Sequence, residues 1–316
     1  MHKLTKTDKI IITEFLNDSR TSIKDISKKF RISRTSISNR IKILEEKEIF
    51  GGYNIDFNPA LVDLLSFTIL IKTKKIPELN KLRELTRKIS NIYRSHICIG
   101  PFNMHIKMYL KKMEDIHKII KIIDEILKIE KYEYLINTQW TFFLRDYFNI
   151  GLKINKICGP YNSGFELIQK CNATELKILG LLTKNCRLSL VDISKIIKKP
   201  FSTVRYSLDR MKKEGIIEKF SVFIRSTKFD YNINHIRINT TKNNADIDKK
   251  IFEFCRKCNN VFVYHKTFGR WNYNLQVFSK TLEDTYEIAK RIQNEIFEID
   301  KVDIFRLCEG YSQPVL

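Results

Sequence analysis

The sequence predicts an α+β fold in which two helix-turn-helix domains of winged-helix type alternate with two ferredoxin-like βαββαβ domains. Three observations predict it. The chain repeats itself once; each repeat opens with three short amphipathic helices, the third of them basic; and each repeat closes with strand and helix patterns in the order βαββαβ.

The repeat fixes the domain boundaries. At a shift of 167, Thr7 meets Thr174, Ile11 meets Ile178, Arg20 meets Arg187, and Asp25-Ile26-Ser27-Lys28 meets Asp192-Ile193-Ser194-Lys195. Beyond two inserted residues the shift becomes 169: His96 meets His265, Gly100 meets Gly269, Asn103 meets Asn272, and Glu114-Asp115 meets Glu283-Asp284. The expected domains are 1–56 and 173–230 for the helix-turn-helix units, 57–140 and 231–316 for the sheet units, and 141–172 for a connector marked by Gly151, Gly159-Pro160 and Gly164.

In the first unit, Ile11, Ile12 and Phe15 stand at helical spacing behind Thr7 and Asp8, which read as a capping start. Ser22 opens a second helix with Ile23, Ile26 and Phe30 inward, and a third runs from Ser33 to about Lys47 on a stripe of Ile37, Ile41 and Leu44. Two short helices joined by a tight turn present the later one to a groove about 12 Å wide. Its other side carries Arg34, Thr35, Ser38, Asn39, Arg40 and Lys42, side chains suited to base edges and phosphates. In the second unit the equivalent helix spans Phe201–Glu214 behind Lys199-Pro200, with Gly215 as its C-terminal stop, and carries Ser202, Thr203, Arg205, Tyr206, Arg210 and Lys212. Arg34 and Arg205 are the expected base readers; Lys42, Lys199 and Lys212 are expected on phosphates. The two exposed sets differ, so the two helices are expected to read different bases.

In the sheet units, Leu65–Lys72, Ile92–Gly100, Asn103–Leu110 and Tyr132–Thr138 read as strands, Glu78–Ile89 and Glu114–Ile129 as helices. The second copy follows with Asn232–Thr241, Asp246–Lys257, Asn260–Thr267, Asn272–Ser279, Glu283–Phe297 and Lys301–Leu307. Each sheet has one helix-free face that needs a cover, which predicts sheet-to-sheet pairing.

Charge agrees with a polyanionic partner. The chain has 57 Lys plus Arg against 36 Asp plus Glu, net +21, and the helix-turn-helix units carry +4 and +7 of it, the second sheet unit only +2. No apolar run approaches the ~18 residues of a membrane span. The N-terminus lacks a secretory core, and the seven scattered cysteines read as reduced thiols, so a cytoplasmic location is expected. Neither metal nor cofactor is expected: Cys255 and Cys258 form a lone CxxC, and no HExxH, GxGxxG, P-loop or G-x-S-x-G occurs.

The text ISRTSISNRIKILEEKEIFGGY followed by βαββαβ with a Gly-x-aromatic-Asn turn, and again FSTVRYSLDRMKKEGIIEKF with GRWNYNLQVF, resembles the Lrp/AsnC family of transcriptional regulators over about 4–140 and 171–308. Two features depart from the family pattern. Glu48 replaces the usual glycine after the first recognition helix, and Asn103 and Asn272 replace a turn acid. The resemblance implies double-stranded DNA as partner and pairing of the sheet (RAM) domains, within the chain or in a homo-oligomer. It also implies a small-molecule effector such as an amino acid near Gly100, Asn103, Gly269 and Asn272. Siroheme decarboxylases share the two-module architecture, and His265, Trp271, Tyr273 and Asn274 resemble their active-site stretch, with His96 at the equivalent place in the first copy. A scaffold whose helix-turn-helix units no longer hold DNA is the third alternative.

Overall fold

The computed structural model describes residues 4–162, 168 and 170–313. Helix α1 (Lys6–Asn17) starts two residues earlier than its sequence cue. Thr5 is the cap, and Asp8 at the third helical position returns a hydrogen bond to the Thr5 backbone. Helices α2 (Ile23–Phe30) and α3 (Arg34–Glu46) are capped by Ser22 and Ser33, and Ile11, Ile12, Phe15, Ile26, Ile37 and Leu44 form their common core. Glu48 then takes the left-handed conformation (φ 55°) that Gly215 takes in the second copy (φ 71°). Lys228 and Arg225 hold the Glu48 carboxylate at 3.0 and 3.8 Å.

The chain continues through β1 (Phe50–Phe57), β2 (Leu65–Thr73), α4 (Leu79–Lys88), β3 (Ile92–Ile99), β4 (Met104–Leu110), α5 (Asp115–Leu127), β5 (Ile129–Arg145) and β6 (Asn155–Asn162). The second copy supplies α6 (Ala173–Lys184), α7 (Leu190–Ile197), α8 (Phe201–Lys213), β7 (Ile217–Ile224), β8 (Asn232–Thr240), α9 (Ala245–Lys257), β9 (Val261–Gly269), β10 (Tyr273–Ser279), α10 (Leu282–Glu295) and β11 (Ile299–Ser312).

The two helix-turn-helix units are joined by a ribbon in which β1 pairs antiparallel with β7, with Asn54 opposite Ser221. A pseudo-twofold axis runs through the joint. Equivalent residues Ser19 and Cys186 touch at 3.1 Å. Equivalent arginines exchange sides: Arg20 donates to the carbonyls of Cys186 and Leu188, and Arg187 to that of Ser19. Arg187 also lies over the Phe15 ring at 4.3 Å. These contacts fix the separation of α3 and α8.

The sheet units do more than pair. The strands run β2-β4-β3-β11-β8-β10-β9-β5, and β5 returns to β2, closing an eight-stranded antiparallel ring in which β3–β11 and β5–β9 are the two seams between copies. Helices α4 and α5 cover the outside of one half over Phe67, Ile69, Ile106 and Met108; α9 and α10 cover the other over Ile236, Ile238, Leu275 and Val277. Alternation along each strand sends the intervening residues into the barrel. The expected connector is partly sheet: β5 runs on to Arg145 and takes β6 as a ninth strand. Gly164 lies outside the described residues. Arg145 donates to the carbonyls of Cys255 and Cys258, tying the first copy's last strand to the end of α9.

Candidate functional site

Ser33 accepts from the Ser36 amide and starts α3, so the residues just after it project from the helix N-terminus. Arg34, Thr35, Ser38, Asn39 and Lys42 are exposed there. On α8, Lys199, Ser202, Arg205, Tyr206 and Lys212 are exposed and Thr203 is half-buried; Tyr206 stands 70% exposed. The structure leaves these side chains on the outward faces and draws two of the thirteen expected contacts inward. Arg40 forks onto buried Asp8 (Nε–Oδ1 2.7 Å, Nη2–Oδ2 2.5 Å), and Arg210 forks onto buried Glu175 at 2.7 and 2.6 Å. Arg210 also reaches the Lys170 carbonyl and Glu214. These guanidiniums clamp α3 to α1 and α8 to α6. The sequence signal was present: Asp8 and Glu175 occupy the same repeat position, each an acid on the core side of its helix. Lys212 stacks over Phe220 at 5.0 Å, and Arg205 meets Asp209 at 3.9 Å.

The turn residues expected to meet an effector are built into the barrel. Asn103 accepts from the Thr73 amide and donates to the Thr73 carbonyl, and Asn272 accepts from the Thr240 amide. The Asn103 amide meets both backbone groups of Thr73, where an acid would satisfy the N–H donor but not the carbonyl acceptor. Gly100 and Gly269 have φ of 152° and 141°, and a Cβ on either would lie 2.8 Å from a carbonyl oxygen of the other copy, that of Ile304 or Tyr134. Their glycines let the seams close. Gly269→Ala is therefore expected to lose about 1–3 kcal/mol, from strain and overpacking together, seen as a lower urea midpoint; an unchanged midpoint would remove the seam from the account.

Inside the barrel the lining is polar and cationic. His235 and His105, from opposite copies, have ring centroids 4.9 Å apart. Asn274 holds His235 at 2.9 Å and Gln276 holds His265 at 2.8 Å. Arg237 is 1% exposed, its guanidinium beside Trp271 (5.4 Å) and Phe305 (5.2 Å), whose rings meet edge-to-face 5.9 Å apart, and none of its three nitrogens has a protein acceptor. Both ring nitrogens of His105 and the Nδ1 atoms of His96 and His265 also lack protein partners. One end of the barrel is plugged by Leu70, Phe102, Leu135, Trp271 and Phe305. At the other, Tyr109 stacks on Tyr93 (4.6 Å) and meets Phe57 of the ribbon at a tilt (5.4 Å). Strand alternation divides the aromatic stretch seen in the sequence. His265, Trp271 and Asn274 serve the lumen, whereas Tyr273 faces the helices and donates to Asp248. His105, Lys107, His235 and Arg237 are lumen residues that sequence reading missed, because alternation puts each pair on one face of its strand without showing that the face is closed inside a barrel.

Burial depresses these groups. Desolvation, then the charges of Arg237 and Lys107, hold His105, His235 and His265 well below the usual imidazole value; His96 falls to about 4, Lys107 to about 7 and Arg237 to about 9. A lowered base binds fewer protons folded than unfolded, so stability rises with pH as the unfolded chain's histidines deprotonate. Glu218, raised to about 9 by burial, and Asp56, raised likewise, act in the opposite sense, two carboxyls against four imidazoles. The urea midpoint is expected to climb between about pH 5 and about pH 7. A falling midpoint over that range would contradict the buried neutral histidines.

Comparison with known proteins agrees with this architecture. The pattern of winged helix-turn-helix DNA-binding domains matches residues 4–50 and 172–218. The HTH-type transcriptional regulator LrpA of Pyrococcus horikoshii is 30% identical over 117 residues, 37% of this chain and 83% of that protein. LrpA of Pyrococcus abyssi is 31% identical over 113 residues, 36% and 80% of the two chains. In fold, the whole chain is similar to the siroheme decarboxylase NirDL, solved with an iron-uroporphyrin III analogue. The TM-score is 0.61 at 14% identity, covering 99% of this chain and 94% of that one. Among the described residues no helix is long and apolar enough to cross a membrane, and no group of three or more His, Cys, Asp or Glu is arranged to hold a metal ion. The chain belongs to the Lrp/AsnC family of helix-turn-helix transcriptional regulators, with two copies of the family unit in one polypeptide.

Proposed function

We propose that the protein is a sequence-specific regulator that acts by binding double-stranded DNA rather than by catalysis, reading it with α3 and α8 as two non-identical recognition helices. The observation that carries this reading is the pair of exposed helix faces, Arg34-Thr35 with Ser38-Asn39 and Ser202 with Arg205-Tyr206, held at a fixed spacing by the β1–β7 ribbon. Arginine and asparagine offer the paired donors and acceptors that distinguish bases in the major groove, and hydroxyls and lysines suit phosphates. Because the two faces differ, the preferred site is expected to be asymmetric. The twofold pairing that separate subunits make is here made inside one chain.

The test is binding to a selected duplex across a salt series. Affinity should fall steeply with salt, about a thousandfold between 50 and 200 mM if about six phosphates are held. Arg34→Ala should cost about 1–3 kcal/mol and relax preference at one position, whereas Lys199→Ala should weaken all sequences alike. Salt-insensitive binding, or no duplex preferred over random DNA, would defeat the reading.

A further inference from the structure

We propose that an open groove between the second helix-turn-helix and the first sheet unit docks a short acidic, aromatic peptide segment of a partner protein. The groove has a volume of about 660 Å³ and lies between α6, the end of α7 and the residues that lead into β2. Val62 and Leu64 line its sheet side, Leu181 and Ile196 its helix side. Its volume falls in the range of ligand-sized clefts. Ile196 is 56% exposed, so the apolar wall is open to a partner.

The other half of the molecule shows how such a groove is filled. Under the repeat, Val62, Leu64 and Tyr109 correspond to Phe229, Tyr231 and Phe278. There the chain supplies its own cover. Phe148 lies against all three rings, at 5.1, 5.4 and 4.9 Å, and Ile150 and Leu152 join the same core with Ile11 and Ile12 of α1. Asp146 holds this segment in a turn by accepting from the amides of Ile150, Gly151 and Leu152. The occupant of the first groove is therefore a peptide turn with aromatic and aliphatic side chains and an acid.

The helix wall differs between the copies in a way that suits an external occupant. Glu14 and Lys29 form an ion pair at 2.8 Å between α1 and α2, and the same positions in α6 and α7 are Leu181 and Ile196. A pair compatible with water has been replaced by one that gains from losing it. Ile10, Asn17 and Arg31 are matched by Lys177, Lys184 and Lys198. With Lys111 these set four lysines around the groove, and among the described residues no acidic side chain lines it. The apolar walls favour aromatic and aliphatic side chains, and the lysine rim favours carboxylates. A nucleic acid would meet the lysines and leave the apolar walls bare, and a fatty acid would bring one carboxylate to four ammonium groups. The site stands apart from the outward faces of α3 and α8.

The full-length protein would be titrated by fluorescence anisotropy with a labelled peptide that carries the sequence of residues 146–152 flanked by aspartates. A control peptide has serine in place of its aromatic and aliphatic residues. Leu181→Glu with Ile196→Lys rebuilds the ion pair of the first copy, and Lys177→Glu with Lys184→Glu reverses part of the rim; thermal transitions report that both remain folded. Saturable binding of the peptide is expected, weaker by about tenfold or more in each double variant and for the serine control. Equal binding by Leu181→Glu/Ile196→Lys, equal binding of the serine control, or no binding of the peptide would overturn the proposal. So would displacement of the peptide by laurate at equal concentration, which assigns the groove to a small amphiphile. Concentration-dependent dimerisation abolished by Leu181→Glu/Ile196→Lys would likewise overturn it and assign the groove to a second copy. Duplex affinity measured on the same samples keeps the two readings apart: peptide binding without duplex binding contradicts the regulator alone, and the reverse contradicts the groove alone.

Discussion

Arg40→Ala is expected to destabilise the first helix-turn-helix by about 3 kcal/mol, the lower end of the range for an unpaired buried charge because the guanidinium itself is 27% exposed. Asp8 is wholly buried and serves two partners, the Thr5 backbone that starts α1 and the Arg40 fork from α3. Burial pushes its carboxyl up, but the hydrogen bonds of Arg40 and Thr5 outweigh that and hold it below the ordinary value. Without Arg40 the balance reverses and the carboxyl rises. The stability lost is then greatest at neutral pH and shrinks as pH falls through the new value, because a protonated Asp8 no longer needs the partner. Native-state hydrogen exchange on α1 should report the loss, and Asp8→Asn in the same chain should recover part of it. An Arg40→Ala protein with wild-type exchange but weakened DNA binding would return Arg40 to the DNA face. Glu175 and Arg210 repeat the arrangement, with the acid one methylene longer and the arginine three residues beyond the position equivalent to Arg40. The clamp was kept, its acid in place, while its arginine moved by about one helical turn.

Arg237→Met is expected to have the opposite sign, stabilising the protein by about 1–4 kcal/mol. The guanidinium is buried with no protein acceptor, so the chain bears its desolvation without the return that Asp8 gives Arg40. Methionine fills similar volume beside Trp271 and Phe305 and removes the charge that depresses His105 and His235. Chemical unfolding should give a higher midpoint for Arg237→Met, and the rise in midpoint between about pH 5 and about pH 7 should flatten. A destabilised variant would mean that Arg237 is already compensated within the chain.

The helices and strands were readable because their signals are local. Capping residues, apolar spacing at 3.6 or 2, and a glycine at a turn act within a few residues. The duplication then gave each unit a second reading, so that Gly215 explains the conformation of Glu48. The outward residues of α3 and α8 followed from the same periodicity.

What the periodicity could not supply was the partner of each polar side chain. Arg40 and Arg210 look like DNA contacts on a helical projection, and only the crossing of α1 with α3, or α6 with α8, brings an acid within 2.7 Å. Asn103 and Asn272 look like a ligand turn, and only the neighbouring strand ends at Thr73 and Thr240 show what they bind. The lumen is the extreme case. His96 and His105 come from one copy, His235, Arg237 and His265 from the other, and only His235 and Arg237 are sequence neighbours, at the i, i+2 spacing of one strand face. By itself the sequence determined the elements, the duplication and the family, because those rest on short-range geometry and repeated patterns. Closure of the sheets into a barrel was decided only in three dimensions, and with it which polar groups lose water and which charges are left unpaired, because the seams join residues more than a hundred positions apart.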